Sequence, residues 1–394
     1  MKKQNISLNM SHAVVDGLFE SIPVLLAFVL LLSLNPEKEI GLVVSIGIMM
    51  STILGLSTKA LTQKTSSGFV FFLALLIYGC AFIMAAFAQS VFVTKVCFVL
   101  AISVSSLFHV AAFSHLLVTT DVSQRGKVIS NFTAIGDVGR IPFVSVASFV
   151  SAYTVLGISG WRTTCLFFGL LASGLALYAY KNLYGQNAPA QIHEKKQSQK
   201  NFLPSFSLLK DRACRLPIIA CVCDAFCSSR LFTFFPLFLL EKGIDATSIV
   251  YFTFIFTFGS LLGKIVLGRA ADRIPPAAMF MGSELTMASA LIMLVLTNSP
   301  VLLFCLAALL GVVARGTVPV AQLLVTNPVK EEHYSDIITI RDFGTGIVGI
   351  ITPVFYGYIA TYLGIQSIYI LMACGAAAAS IPIFLSFGMS SGKK

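Results

Sequence analysis

"YGQNAPAQIHEKKQSQKNFLPSFSLLKDRACR", Tyr184 to Arg215, is a polar stretch in a chain that is apolar on both sides of it. Of 394 residues, 57% are hydrophobic and 11% are charged, against about 25% charged in a soluble globular chain. The composition is that of an integral membrane protein. Around the polar stretch, apolar runs recur near the ~20-residue length that spans a bilayer. They predict helices at 11–34, 40–58, 67–89, 92–119, 127–154 and 161–183, then at 216–240, 246–268, 277–297, 300–326, 337–361 and 364–388. The fold expected is all-α: two pseudo-symmetric six-helix bundles, residues 1–184 and 213–394, joined by a cytoplasmic linker, 185–212, with some amphipathic surface helix in it.

The halves resemble each other. Pro23 and Pro236 are 213 residues apart, as are Gly55 and Gly268. "HLLVTTDV" from His115 matches "QLLVTNPV" from Gln322 in the corresponding fourth and tenth helices. Internal repeats of this kind build many transporters, with the substrate site where the halves meet.

The net charge of +10 does not imply a nucleic-acid partner, because of where the charge lies. With the N-terminus inside, most Lys and Arg fall in segments assigned to the cytoplasm, Arg341 included, while Lys38, Lys95, Arg162 and Lys242 fall outside. This positive-inside bias places both termini in the cytoplasm and the protein in the inner (plasma) membrane. No cleavable signal peptide is expected, since the first apolar run is interrupted by charge. The nine cysteines lie mostly in predicted spans and suggest no disulfide framework. Cys221, Cys223 and Cys227 lie beside Asp224, but helical spacing splays the first two thiols. They read as packing, and no metal or cofactor is expected.

Charge inside the membrane is the strongest signal. An Asp, Lys or Arg at a helix centre costs about 2.5–3.5 kcal/mol on the insertion scale, so such residues face a cavity or a partner. "SHAVVDGLFESIP", Ser11 to Pro23, stacks His12, Asp16 and Glu20 on one helix face at four-residue spacing, with His12 near the helix start. His109 follows in the fourth helix, Asp137 and Arg140 in the fifth, Asp224 and Arg230 in the seventh, Glu284 in the ninth and Arg315 in the tenth. Glu20, His109, Arg230 and Arg315 fall near mid-membrane. Asp224 and Glu284 are expected half-buried near the cytoplasmic entrance, and Asp137 and Arg140 can pair with each other. A carboxylate in a poorly hydrated cavity exchanges its proton with whichever side the cavity faces, which makes Asp16 and Glu20, with His12 as relay, the expected proton-coupling site. An arginine of the seventh or tenth helix is expected to pair with whichever carboxylate has released its proton. Three guanidinium groups within spans suit an anionic or zwitterionic solute, with His109, Arg140, Arg230 and Arg315 expected to bind it.

"GRAADR", Gly268 to Arg273, resembles the G-x-x-x-D-R loop of the major facilitator superfamily, and "GWR", Gly160 to Arg162, is similar to that family's sixth-helix opening. The resemblance implies a gating loop at Gly268, Asp272 and Arg273, and places helices one, four, seven and ten around a central cavity. In the first half "GLSTKALTQK" carries Lys59 where the family has Asp. "SHAVVDGLFESIP" and "SLFHVAAFSH" resemble the first and fourth helices of fosmidomycin-resistance-type exporters, with Val110 in place of a proline. "GDVGRIP", Gly136 to Pro142, partly resembles the antiporter motif, with Arg140 and Ile141 separating Gly139 from Pro142.

No G-x-x-x-x-G-K-[ST] phosphate cradle is present and no enzyme is expected. The expectation is a monomeric secondary transporter working by alternating access: a proton-coupled antiporter for efflux of a small solute or drug, hence a drug-resistance role. Proton-coupled uptake of a small metabolite or siderophore-like compound, or a transporter-like membrane receptor, are the alternatives.

Overall fold

The computed structural model describes residues 2–120, 125–183, 206–270, 273–330 and 333–390. The first half contributes helices α1 (Lys2–Val29), α2 (Pro36–Lys64), α3 (Ser67–Phe87), α4 (Val91–Ser103), α5 (Ser105–Thr119), α6 (Arg125–Ser151) and α7 (Gly160–Leu183). The second contributes α8 (Arg212–Ser228), α9 (Leu231–Glu241), α10 (Ile249–Ala270), α11 (Pro276–Leu296), α12 (Pro300–Gly316), α13 (Val318–Thr326), α14 (Tyr334–Leu363) and α15 (Gln366–Ser390). A two-stranded hairpin, β1 (Thr154–Val155) with β2 (Ile158–Ser159), joins α6 to α7. Twelve helical spans among the described residues are long and apolar enough to cross a bilayer. The chain is a multi-pass integral membrane protein. The expected linker lies mostly outside the described residues, which resume with a 3-10 turn at Phe206–Lys210.

The first helix departs from expectation at both ends. It starts at Lys2, because Leu8, only 2% exposed, gives the polar leader a buried face. It stops at Val29, and Leu30 to Ser33 form a turn closed by Ser33 N–H to the Leu30 carbonyl at 2.8 Å. Pro36 then opens α2, and the residue before a proline avoids helical backbone. His12 is therefore not near the helix start but deep within α1 and 2% exposed.

Three of the predicted spans are broken. The tenth breaks at Thr317, two residues before Pro319, whose missing N–H deprives the Arg315 carbonyl of its helical partner. The fourth breaks at Val104, beside Ser103, whose hydroxyl donates to the Leu100 carbonyl at 2.7 Å and competes with the backbone ladder. Val104 and Thr317 are 213 residues apart, the spacing seen between Pro23 and Pro236. The seventh breaks at Ser229 and Arg230, between α8 and α9.

The chain divides into two compact units, Met1–His193 with Asp245–Val250, and Glu194–Ile244 with Tyr251–Lys394. In the first unit α1 lies along α6, α2 along α4 and α5, and α3 along α7. In the second, α8 lies along α14 and α15, α11 along α15, and α10 meets α12 where Gly259 and Gly263 approach the Ala308 and Val312 carbonyls. First span against fifth, second against fourth, third against sixth: the same pairing recurs in both units. Each unit carries its own apolar interior, including Phe71, Phe82, Phe98 and Phe168 in the first and Phe280, Ile337 and Ile383 in the second.

Candidate functional site

In the first unit the site grows from the seam between α1 and α6. Every α1 residue one turn apart shares a face, so His12 and Asp16 both look onto α6. The seam is tight because "GDVGRIP" puts glycine at the two contact positions. A β-carbon on Gly139 would stand 2.4 Å from the Ala13 carbonyl oxygen, and one on Gly136 would stand 2.6 Å from both Asp16 Oδ2 and His12 Cε1. Close helix approach through small residues is how membrane helices gain packing energy. Gly139→Ala should therefore lower the unfolding midpoint in detergent by an overpacking cost of about 1–3 kcal/mol, and a variant as stable as the parent would show the seam to be slack.

Asp16, buried at 5% exposure, is the hub. Its Oδ2 accepts from Arg140 Nη2 at 2.7 Å, and its Oδ1 faces His109 Nε2 at 2.9 Å. His12 Nε2 lies 3.7 Å from the same Oδ1, beyond hydrogen-bond length. Arg140 also reaches back one turn of its own helix to Asp137 Oδ1, 2.9 Å from Nη1. Thus one carboxylate from the first span binds an imidazole from the fourth and a guanidinium from the fifth. His12 is fixed differently: its Nδ1 donates to the Phe132 carbonyl at 2.8 Å, and its ring stacks on Phe132 with centroids 3.9 Å apart. That leaves Nε2 of a neutral His12 with a lone pair facing the hub.

The proton inventory at His109 has two consistent forms. Nδ1 lies 2.8 Å from the Ser105 carbonyl oxygen and 3.4 Å from the Ser105 hydroxyl. A doubly protonated ring donates to the carbonyl through Nδ1 and to Asp16 through Nε2. A singly protonated ring keeps its Nδ1 proton on the carbonyl and accepts at Nε2 from a protonated Asp16. Either way both nitrogens have partners. The nitrogens of His12 and His109 and an Asp16 oxygen also lie within 4.8 Å of one another, a possible donor set for a metal. A metal there would sit against the Arg140 guanidinium on the same carboxylate, which opposes it.

The other sequence candidates are placed as follows. Glu20 is buried at 6% exposure, one turn beyond Asp16 and close enough to Arg140 to act on its charge. Asp16 takes its arginine partner, Arg140, from its own unit, and Asp137 and Arg140 do pair. His115 bonds Ser67 Oγ at 3.0 Å and meets Phe71 edge to face, a packing role. Asp272 lies outside the described residues; Arg273 is exposed, and Gly268 sits near Pro319.

In the second unit a cavity of about 240 Å³ is lined by Asp224, Ser228 and Ser229 of the seventh span, Arg315 of α12, and Arg341, Asp342 and Thr345 of α14. Arg315 is where the sequence puts a substrate ligand. Arg230 is not among the lining residues; its Nε donates to the Gly349 carbonyl at 3.2 Å. Arg341 is the residue missed. It lines the cavity from within α14, its Nη1 donating to Gln322 Oε1 at 2.6 Å and its Nε and Nη2 to Asp342 Oδ1 at 3.0 and 2.7 Å. A signal for it exists, since Arg341 falls inside the predicted 337–361 span, although the positive-inside reading groups it with the cytoplasmic charges. Glu284, expected half-buried, is fully buried on α11.

The architecture has counterparts among solved structures. A bacterial homologue of the human lysosomal transporter Spinster, in an inward-facing and occupied conformation, superposes with a TM-score of 0.79 at 12% identity over 97% of this chain and 95% of that one. The nucleoside transporter NupG superposes with a TM-score of 0.72 at 15% identity over 98% and 99%. The fold is shared with these two transporters. Residues 218–393 match the sequence profile of the Major Facilitator Superfamily. An uncharacterized MFS-type transporter of Escherichia coli, YcaD, is 24% identical over 168 residues, 43% of this chain and 40% of that protein. The match therefore spans well under half the length of the curated relative.

Proposed function

We propose that the protein is a secondary transporter that couples proton movement to passage of a small anionic or zwitterionic solute by alternating access. The observation that carries this reading is the single buried carboxylate of Asp16, held at once by His109 and Arg140. A group that links three spans through an imidazole and a guanidinium changes their mutual attraction whenever a proton arrives or leaves, which is what coupling requires. The proton is assigned to the His109–Asp16 pair, with His12 as relay and Glu20 as a second acid beside Arg140. His109 and Arg140, expected on the substrate, serve the proton site in this scheme. Efflux is the direction favoured by the likeness of "SHAVVDGLFESIP" to fosmidomycin-type exporters, and antiport follows from it.

The solute site is assigned to the second-unit cavity. Its Arg315 and Arg341 offer forked donors suited to carboxylate or phosphonate, and Asp224 and Asp342 offer acceptors suited to an amine. The volume of about 240 Å³ is below the usual ~300–1,000 Å³ of drug pockets and suits a compact polar solute. A charge-assisted hydrogen bond contributes about 1.5–3 kcal/mol, so Arg315→Gln and Arg341→Gln should each weaken binding of a labelled carboxylate or phosphonate by roughly 10–100-fold. Stronger binding of lipophilic cations by the parent protein, or unchanged affinity in both variants, would count against the assignment. Counterflow of any labelled hit in proteoliposomes separates a carrier, which exchanges, from a receptor, which only binds.

A further inference from the structure

A second cluster of ionisable side chains lies in the second unit and takes no part in the proposed proton cycle. Asp224 and Cys227 sit one turn apart on α8, and Glu284 reaches them from α11. One ligand atom from each, two carboxylate oxygens and the thiol sulfur, all lie within 4.8 Å of one another. Glu284 is fully buried. Its Oε2 is 3.9 Å from Cys227 Sγ, while its Oε1 and Asp224 Oδ1 are both buried with no hydrogen-bond partner among the described residues. An unsatisfied buried carboxylate oxygen is costly, and two of them beside a thiol leave a place for a proton shared between the carboxyl groups or for a cation.

We propose that Asp224, Cys227 and Glu284 form a binding site for a thiophilic divalent cation of the zinc and cadmium type. Sulfur with two carboxylate oxygens is a competent donor set: zinc accepts thiolate at about 2.3 Å and carboxylate at about 2.0–2.2 Å in tetrahedral geometry, with a water or a fourth group completing it. Around one ion such ligands stand about 3.4–3.6 Å apart, so the present spacings, none above 4.8 Å, close by less than about 1.5 Å. Binding releases the thiol proton and any proton on the carboxylates. The two positive charges of the ion leave at most one negative charge on the ligands. Arg341 and Arg315 line the cavity that Asp224 also lines, so this residual charge faces cations. The site ties the seventh span to the ninth.

The sequence brings only two of the three together, since Glu284 lies 57 residues from Cys227. The proposal does not rest on the carrier reading, and its test uses no transport assay. Cadmium bound to thiolate absorbs in the near ultraviolet through sulfur-to-metal charge transfer, so the purified full-length protein is titrated with cadmium chloride. The expected result is a band that saturates at one equivalent, disappears in Cys227→Ser, and is weakened in affinity by roughly 100-fold or more in Glu284→Gln and Asp224→Asn. Zinc should compete the band away and raise the thermal unfolding midpoint of the parent but not of Cys227→Ser. A band that survives Cys227→Ser would assign the metal to another of the nine cysteines and overturn the proposal. Absence of any band would overturn it too, leaving a cluster satisfied by protons alone. Should Cys227→Ser fail to purify, unchanged affinity in both carboxylate variants would be equally decisive against it.

Discussion

Asp16→Asn protein reconstituted in proteoliposomes should exchange substrate across the bilayer yet fail to accumulate it when a pH gradient is imposed. A gradient of one pH unit carries about 1.4 kcal/mol per proton, enough for about tenfold accumulation by the parent protein. The variant should settle near equal concentrations on both sides. Asparagine keeps an oxygen for Arg140 or for His109 but cannot serve both, because its amide end is a donor facing a donor. Arg140 retains Asp137 at 2.9 Å on its own helix, so its charge keeps a partner. Glu20→Gln should cost much less, since Glu20 lies outside the His109–Asp16 contact. Full accumulation by Asp16→Asn would remove the proton site from this carboxylate, and loss in Glu20→Gln alone would move it one turn along α1.

Arg140→Gln should be the most destabilising single change in the first unit. It strips the guanidinium from two buried carboxylates, Asp16 at 5% and Asp137 at 8% exposure, and removes a compensating charge from each. Removing one partner of such a pair costs about 3–5 kcal/mol, which for a unit of this size lowers the unfolding midpoint by on the order of 10 °C. The double variant Asp16→Asn with Arg140→Gln should recover part of that loss, because one of the two stranded charges goes with it. Equal stability of Arg140→Gln and the parent would show that water or lipid headgroups already screen the site.

The twelve spans were legible because each is a long apolar run, and length and hydropathy are properties of consecutive residues. The ends and breaks were less so. The polar leader before Ser11 looks unlike a span, and only the burial of Leu8 shows why α1 continues through it. Pro319 could have announced the break at Thr317, whereas Val104 has only a serine beside it. Among site residues, His12, Asp16, His109 and Arg140 were all visible as charge in apolar surroundings, but their partnership was not. It depends on Gly136 and Gly139, whose lack of a side chain lets α6 come close enough for Arg140 to reach Asp16. Arg341 was hidden by its place near the end of a span, where a loop charge and a cavity charge look the same in one dimension.

The reach of the Asp16 contacts along the chain bears on how the protein is made. Asp16 precedes His109 by 93 residues and Arg140 by 124. During synthesis α1 emerges with a bare acid in its middle and none of the groups that later hold it, and such an acid in lipid costs about 2.5–3.5 kcal/mol. At about 5–20 residues per second the wait lasts many seconds. Asp137 and Arg140 arrive together on the fifth span, so the helix that completes the site also brings a counter-ion of its own. The first bundle is therefore a late closure: α1 must stay sheltered beside the insertion machinery, or at the membrane surface, until the fifth span reaches it.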